Sequence, residues 1–278
     1  MRVARAAAMN TSLIAGPRDA GAQTDPRAVS DLRVLESHQR FPEVRLIEPS
    51  TSGFVLIAAE IDRRPPILGS SRRKRRLLAE CKALCRDLRR EAGVVDAAVF
   101  RAIVVPPGGG GPYLRRRREP AHLARFDVAI LIETESLHKA DVIRRNARYR
   151  ELERQIRNTA RFVYETTATN VKRIGPVDHT RDGVFLFNYF VAERREQNIA
   201  VWHYTAGWFQ QETDLDNSTV LLPTNGTPSE YTLINHCRWN RLRDVLPSLI
   251  FKRSFRTYVL AHFDLNDTAP MPVLYRLA

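Results

Sequence analysis

Apolar residues along this chain follow two rhythms in alternation, short continuous or every-second-residue runs and stretches where they recur every three or four positions. The run 54–61 (FVLIAAEI) is apolar throughout, closed by Arg63-Arg64-Pro65-Pro66, and predicts a buried strand. Leu77, Leu78, Cys81, Leu84, Cys85 and Leu88 then repeat at helical spacing behind a Ser70 or Ser71 cap, predicting a helix that ends near Gly93. Strands follow at 94–105 and 126–133, separated by the glycine- and arginine-rich segment 106–120, which reads as a loop. A charged helix over 137–159 and a strand over 161–173 complete the order β-α-β-β-α-β.

The same order then recurs. Strand 184–192 (VFLFNYFVA), helix 195–212, strands 218–223 and 231–239, helix 242–263 and strand 272–277 repeat the six elements. Pro247 predicts a start or a kink in the last helix. The segment Gly175 to Gly183 (GPVDHTRDG) is the natural boundary. The expected organisation is therefore an irregular lead-in over 1–52, with a short helix near Val29 to His38, a first half over 53–175 and a second half over 176–278.

A β-α-β-β-α-β half is the ferredoxin-like motif, whose two helices cover one face of a four-stranded antiparallel sheet and leave the other face to be buried. Two such halves packed sheet to sheet form an α+β pseudo-dimeric barrel. On this element order over residues 53–278, the chain resembles a tandem, fused form of the dimeric α+β barrel superfamily, which includes cofactor-free monooxygenases, polyketide cyclases and several haem enzymes. The resemblance implies a small-molecule pocket between the sheets, and a place in secondary metabolism.

At 278 residues the chain has ample interior for such a fold. Its formal charge of +13 is concentrated in residues 1–120, and only five of its 44 basic residues are Lys. That arginine bias, with abundant Ala, matches genomic base composition better than a phosphate-reading surface, so nucleic acid is not an expected partner. No run of about 18 apolar residues is present, and residues 1–22 hold only a broken apolar stretch, so no membrane partner and a cytoplasmic location are expected. Three cysteines make no disulfide framework, and Cys81 and Cys85 read as buried thiols. Gly108–Gly111 lacks the Lys-Ser/Thr of a phosphate loop, and the acidic stretch Glu212 to Asn217 lacks the glycine and late glutamate of a calcium loop. No nucleophile elbow, zinc-protease, dithiol or dinucleotide fingerprint occurs, and no metal site is expected.

Strand alternation nominates the candidate chemistry. On 231–239, Thr232, Ile234, His236 and Arg238 form the wetter face, and Asn188 interrupts the apolar strand 184–192. With His236 as acid or base and Asn188 and Arg238 holding an oxyanion, these are the candidate catalytic residues. Trp239, Trp208, His203, Glu165 and Arg101 are candidate substrate contacts, with Glu133 and Arg276 as further polar intrusions. The leading expectation is a cofactor-independent cyclase or monooxygenase acting on an aromatic, polyketide-like substrate. A haem protein using His203 on the aromatic helix 195–212 is the first alternative, and a non-catalytic assembly module that self-associates is the second.

Overall fold

The computed structural model describes residues 32–35, 41–63, 65–105, 111–224 and 231–278. Eight strands build it: β1 (Gly53–Glu60), β2 (Val94–Val104), β3 (Val128–Thr134), β4 (Phe162–Gly175), β5 (Val184–Ala192), β6 (Ser218–Pro223), β7 (Leu233–Trp239) and β8 (Thr268–Leu277). They close into one antiparallel barrel in the order β1-β3-β2-β8-β5-β7-β6-β4, with β4 returning to β1. Where sheet-on-sheet packing was expected, the segments β4-β1-β3-β2 and β8-β5-β7-β6 instead join edge to edge, through β2 with β8 and β4 with β6. Closure leaves no open edge of unpaired backbone groups.

Period-two alternation sorts each strand between two layers. On β1, Phe54, Leu56 and Ala58 point into the barrel. Val55, Ile57 and Ala59 point out against helix α1 (Arg72–Leu88), whose Leu77, Leu78, Cys81, Cys85 and Leu88 form the facing stripe. Ser71 caps α1 by accepting from the Lys74 amide at 3.0 Å, as the sequence indicates. The cysteines are free and buried, and burial pushes the Cys81 thiol up to about 12. The short helix α2 (Gly111–Arg116) occupies part of the segment read as a loop.

The helix expected over 137–159 is two, α3 (Leu137–Arg144) and α4 (Ala147–Thr159), because Asn146 takes extended backbone and caps the second by accepting from the Arg148 amide. Helix α5 (Arg195–Thr213) crosses the second group of strands, and the irregular segment 41–50 runs over it. A Cβ at Gly207 would lie 1.8 Å from the Pro42 carbonyl oxygen, so only glycine admits that crossing. The last predicted helix runs through Pro247 as α6 (Leu242–Phe251), breaks at the extended residue Lys252, and resumes as a π-helical turn over Phe255–Leu260 leading into α7 (Ala261–Leu265). The helix expected near Val29 to His38 lies outside the described residues, apart from 32–35, which are irregular, and most of the glycine run lies outside them too.

Candidate functional site

Among the described residues, packed aromatic rings occupy most of the space between the sheets, where the pocket is expected. Phe100, Phe126, Phe185, Phe187, Tyr189 and Tyr275 are buried inside the barrel. The Phe100 ring makes edge contacts with Phe185 at 5.1 Å and Phe187 at 5.2 Å, so aromatic packing takes up the interior. The cavity lies on the other side of the sheet, between the outer faces of β5 and β8 and the helical cover from α5 to α7.

That cavity measures about 230 Å³, and its lining is almost wholly apolar. Leu186, Leu274, Pro270 and Pro272 form its floor, Phe209, Leu249, Phe255 and Phe263 its roof. Strand β8 starts earlier than its apolar run predicts and so brings both prolines to the cavity. Gly111 and Pro112 of α2 reach the rim, where Arg116 holds Asp264 in a two-pronged ion pair, Nη1 donating to the two carboxylate oxygens at 3.0 and 3.2 Å. Asp264 is the one ionisable side chain on this lining among the described residues.

Asn188 sits on the cavity floor and also borders a narrower recess behind it, with Thr205, Ser218 and Asn235. Its Oδ1 is buried and has no hydrogen-bond partner. A buried acceptor left unpaired costs about 1–3 kcal/mol, so this atom marks where a ligand donor gains most. Its register partner Asn235 is fixed differently, its Oδ1 accepting from the Ser218 hydroxyl at 2.5 Å. Trp239 lines the same cavity and donates its ring N–H to Thr213 Oγ1 at 3.1 Å. Two residues named from sequence, Asn188 and Trp239, therefore meet in one site.

His236 and Arg238 do not join them. One residue along β7 reverses the side-chain direction, so both point into the barrel, at one mouth. There His236 stacks on Phe187 at 4.1 Å and ends a chain of three side chains. Asp96 Oδ2 lies 2.7 Å from His179 Nδ1, His179 Nε2 lies 2.8 Å from His236 Nε2, and His236 Nδ1 lies 3.0 Å from the Leu186 carbonyl. The carbonyl only accepts, so His236 carries its proton on Nδ1 and presents a lone pair to His179. His179 bridges the two, one ring nitrogen taken up by Asp96 and the other by His236. Burial, then the neighbouring His179, hold the His236 pKa well below the usual histidine range. Burial alone raises Asp96, but its bond to His179 and the charges of His179 and Arg89 outweigh it and bring the carboxyl below its ordinary value.

A small recess of about 50 Å³ at this mouth is lined by Glu133, Arg173, His179, Thr219 and His236. Arg238 closes the same end, its guanidinium carbon 6.0 Å from the Phe185 centroid and one terminal nitrogen donating to the Asp182 carbonyl. His179 belongs to the segment read only as a boundary, and no local spacing links it to Asp96 or His236.

The remaining candidates lie off the cavity lining. Trp208 is buried and donates to the Ser254 hydroxyl at 2.9 Å, outside the cavity lining. Glu165 lies on the first group of strands, accepting from Tyr149 at 2.7 Å, Arg144 at 3.0 Å and Arg157 at 2.7 Å. Arg101 stands opposite Arg276 across β2 and β8. His203 faces away from the cavity toward the lead-in segment, its Nε2 3.5 Å from Glu43, and burial followed by the Lys172 charge lowers its pKa.

No protein-family model and no curated protein matches the chain. The closed antiparallel barrel with its helices outside is a fold shared with solved structures of very different sequence. Among solved structures it is similar to an anthrone oxidase-like protein, at 10% identity over 84% of this chain and 94% of the other, with a TM-score of 0.60. A proposed monooxygenase from Fusobacterium nucleatum aligns over 82% of this chain and 92% of its own, at 8% identity and a TM-score of 0.50. At such identities the likeness is one of fold.

Haem, which the superfamily resemblance raises, would find no axial ligand on the lining of this cavity among the described residues. Among the described residues neither the cavity nor the recess behind Asn188 is lined by His, Met or Tyr, and the one lining Cys, Cys237, has a thiol that burial holds protonated. The nearby His262 is committed through Nδ1 to the Tyr258 carbonyl at 2.7 Å and through Nε2 to the Leu35 amide at 3.2 Å. No group of three metal-ligating side chains occurs among the described residues.

Proposed function

We propose that the protein is an enzyme that takes a flat, apolar, hydroxyl-bearing molecule of the aromatic polyketide kind into the cavity between β5, β8 and the helices, and oxidises it with dioxygen without a resident cofactor. The observation that carries this reading is the unpaired Asn188 Oδ1 in an otherwise apolar chamber. A neutral hydroxyl donates to it, whereas a carboxylate head would leave the acceptor orphaned and would itself be stripped of water. Apolar walls match a ring system, and Trp239 and Phe209 supply edges and faces for it.

In this reading Asn188 orients the substrate hydroxyl, and Asp264, released from Arg116, removes a proton from the activated ring carbon. The carbanion reduces dioxygen and combines with it, and the hydroperoxide loses water to leave a carbonyl. His236 and Arg238 keep the barrel mouth in shape. We read the chain as two tandem ferredoxin-like halves, 53–175 and 176–278, behind a lead-in over 1–52, working in the cytoplasm in secondary metabolism. The resemblance in fold to an anthrone oxidase-like protein supports the same direction.

The test is oxygen uptake with a hydroxyanthrone as probe, which carries both the hydroxyl donor and the activated ring CH2, beside an absorption spectrum and native mass of the purified protein. Uptake that disappears in Asn188→Leu while the fold is kept is the expected result. A Soret band, or no uptake and no binding of the hydroxyanthrone, overturns the proposal.

A further inference from the structure

The last helical region presents an exposed surface that neither the cavity nor the barrel explains. Residues 245–263 (VLPSLIFKRSFRTYVLAHF) contain no Asp or Glu, three basic residues and a majority of apolar ones. Part of that apolar content lines the cavity, through Leu249, Phe255, Val259, Leu260 and Phe263. Val245 and Tyr258 are buried, and Ile250, Phe251 and the outer side of Leu260 face water. Phe251 is 78% exposed, Ile250 48% and Leu260 36%, the first two at the elbow where α6 ends and the third at the end of the π-helical turn. Three exposed large apolar residues within eleven positions make a patch, where one would be ordinary.

Charge around the patch has one sign. Lys252, Arg253 and Arg256 are exposed, and Arg253, Arg256 and Leu260 share one side of the helix at spacings of three and four. Lys252 is paired with Glu212, and Asp264 is held by Arg116. Among the described residues Arg256 donates to the Ile250 carbonyl and no carboxylate pairs with it or with Arg253. A second copy of this chain would bring Arg253 and Arg256 against themselves across a twofold axis. An aromatic and aliphatic tip ringed by arginine, with no acidic neighbour exposed, is what an anionic lipid surface recognises.

We propose that Ile250, Phe251 and Leu260 dip into the surface of an anionic membrane while Arg253 and Arg256 meet lipid headgroups, which sets the mouth of the apolar cavity at the lipid boundary. This is attachment to a surface and not a span, since no helix among the described residues is long and apolar enough to cross one. It replaces the expectation of no membrane partner, and it stands whether or not the cavity oxidises its ligand.

The experiment is co-sedimentation of the whole protein with vesicles of phosphatidylcholine alone or with added phosphatidylglycerol, at low and high salt. Binding to the anionic vesicles that weakens with salt is expected. Phe251→Glu should lower the partition coefficient about tenfold or more, and each of Arg253→Ala and Arg256→Ala about fivefold. Phe251 is exposed, so these variants keep their fold, which circular dichroism verifies. The control is Arg72→Ser with Arg75→Ser, which removes two exposed charges on α1 and should leave partition nearly unchanged. Loss of binding in that control, equal binding by Phe251→Glu, or a dimer in sedimentation that Phe251→Glu dissociates would each overturn the proposal, the last in favour of a second copy.

Discussion

The two helix-covered faces of the barrel share a strand order and differ in what lies beneath their helices. Under α1 and α4 the outer face of β1 and β3 is filled by interlocking aliphatic side chains, with Leu88, Leu152 and Ile156 fully buried. Under α5 to α7 the corresponding face of β5 and β8 holds a cavity of about 230 Å³. The sequence difference behind this is local. In the first region straight helices bring unbroken Leu, Ile and Cys stripes to the sheet. In the second, the extended residue Lys252 interrupts the helix, and Pro270 and Pro272 replace longer side chains on the floor. One face is built for stability and the other leaves room for a guest, which is the usual division when binding energy is held back from folding.

That contrast can be broken most severely at Lys74. Its ammonium is buried 2.9 Å from Asp127, whose carboxylate also accepts from the Ile61 amide at 2.6 Å. Lys74→Met strands that carboxylate and should cost about 3–5 kcal/mol in urea unfolding. Leu152→Ala, also in the filled face, should cost about 2–5 kcal/mol. A loss below about 1 kcal/mol would show that this face is not close-packed. Across the molecule, Asn188→Leu should raise stability by about 1 kcal/mol while lowering hydroxyanthrone affinity, because it removes the unpaired acceptor. Matching losses of both would contradict the division of labour. The smallest effect belongs to Arg116→Ala, whose half-exposed pair contributes no more than about 1 kcal/mol; its signature is faster exchange of a cavity ligand in stopped flow.

Acid sharpens the comparison in another way. His203, His236 and His262 all have folded pKa values below the usual one, each chiefly through burial, and all three lie in the second group of elements. The unfolded chain therefore binds more protons, and stability should fall as pH drops below about 6.5, with the slope growing by one proton for each histidine kept neutral. Asp96 adds a later loss as pH falls below its unfolded value of about 3.9 and through its depressed folded one. Stability curves that stay flat between neutral pH and pH 5 would rule out buried neutral histidines.

The strands and helices were legible because alternation and capping are local. FVLIAAEI and VFLFNYFVA form strands within a residue or so of their apolar runs, and Ser71 caps as its position indicates. The break at Lys252 was hidden, since nothing in FKRSF opposes a helix in isolation. Asn188 and Trp239 are identifiable as polar or aromatic intrusions, and the cavity they share lies on the helix-covered side of the sheet, where strand alternation points to the space between the sheets. The polarity of His236 and Arg238 suggested a wet chamber, whereas that face is a closed hydrogen-bonded mouth over aromatic rings. His179 meets His236 across 57 positions of chain and Asp96 across 83, distances that no spacing rule bridges.

Both seams of the barrel, β2 with β8 and β4 with β6, are made within one chain, and β2 and β8 lie more than 160 residues apart. Neither group of strands can bury its inner aromatic layer until the other arrives, so the search for that docking dominates the folding time. Refolding should therefore be slow and cooperative, with a rate and a midpoint indifferent to protein concentration.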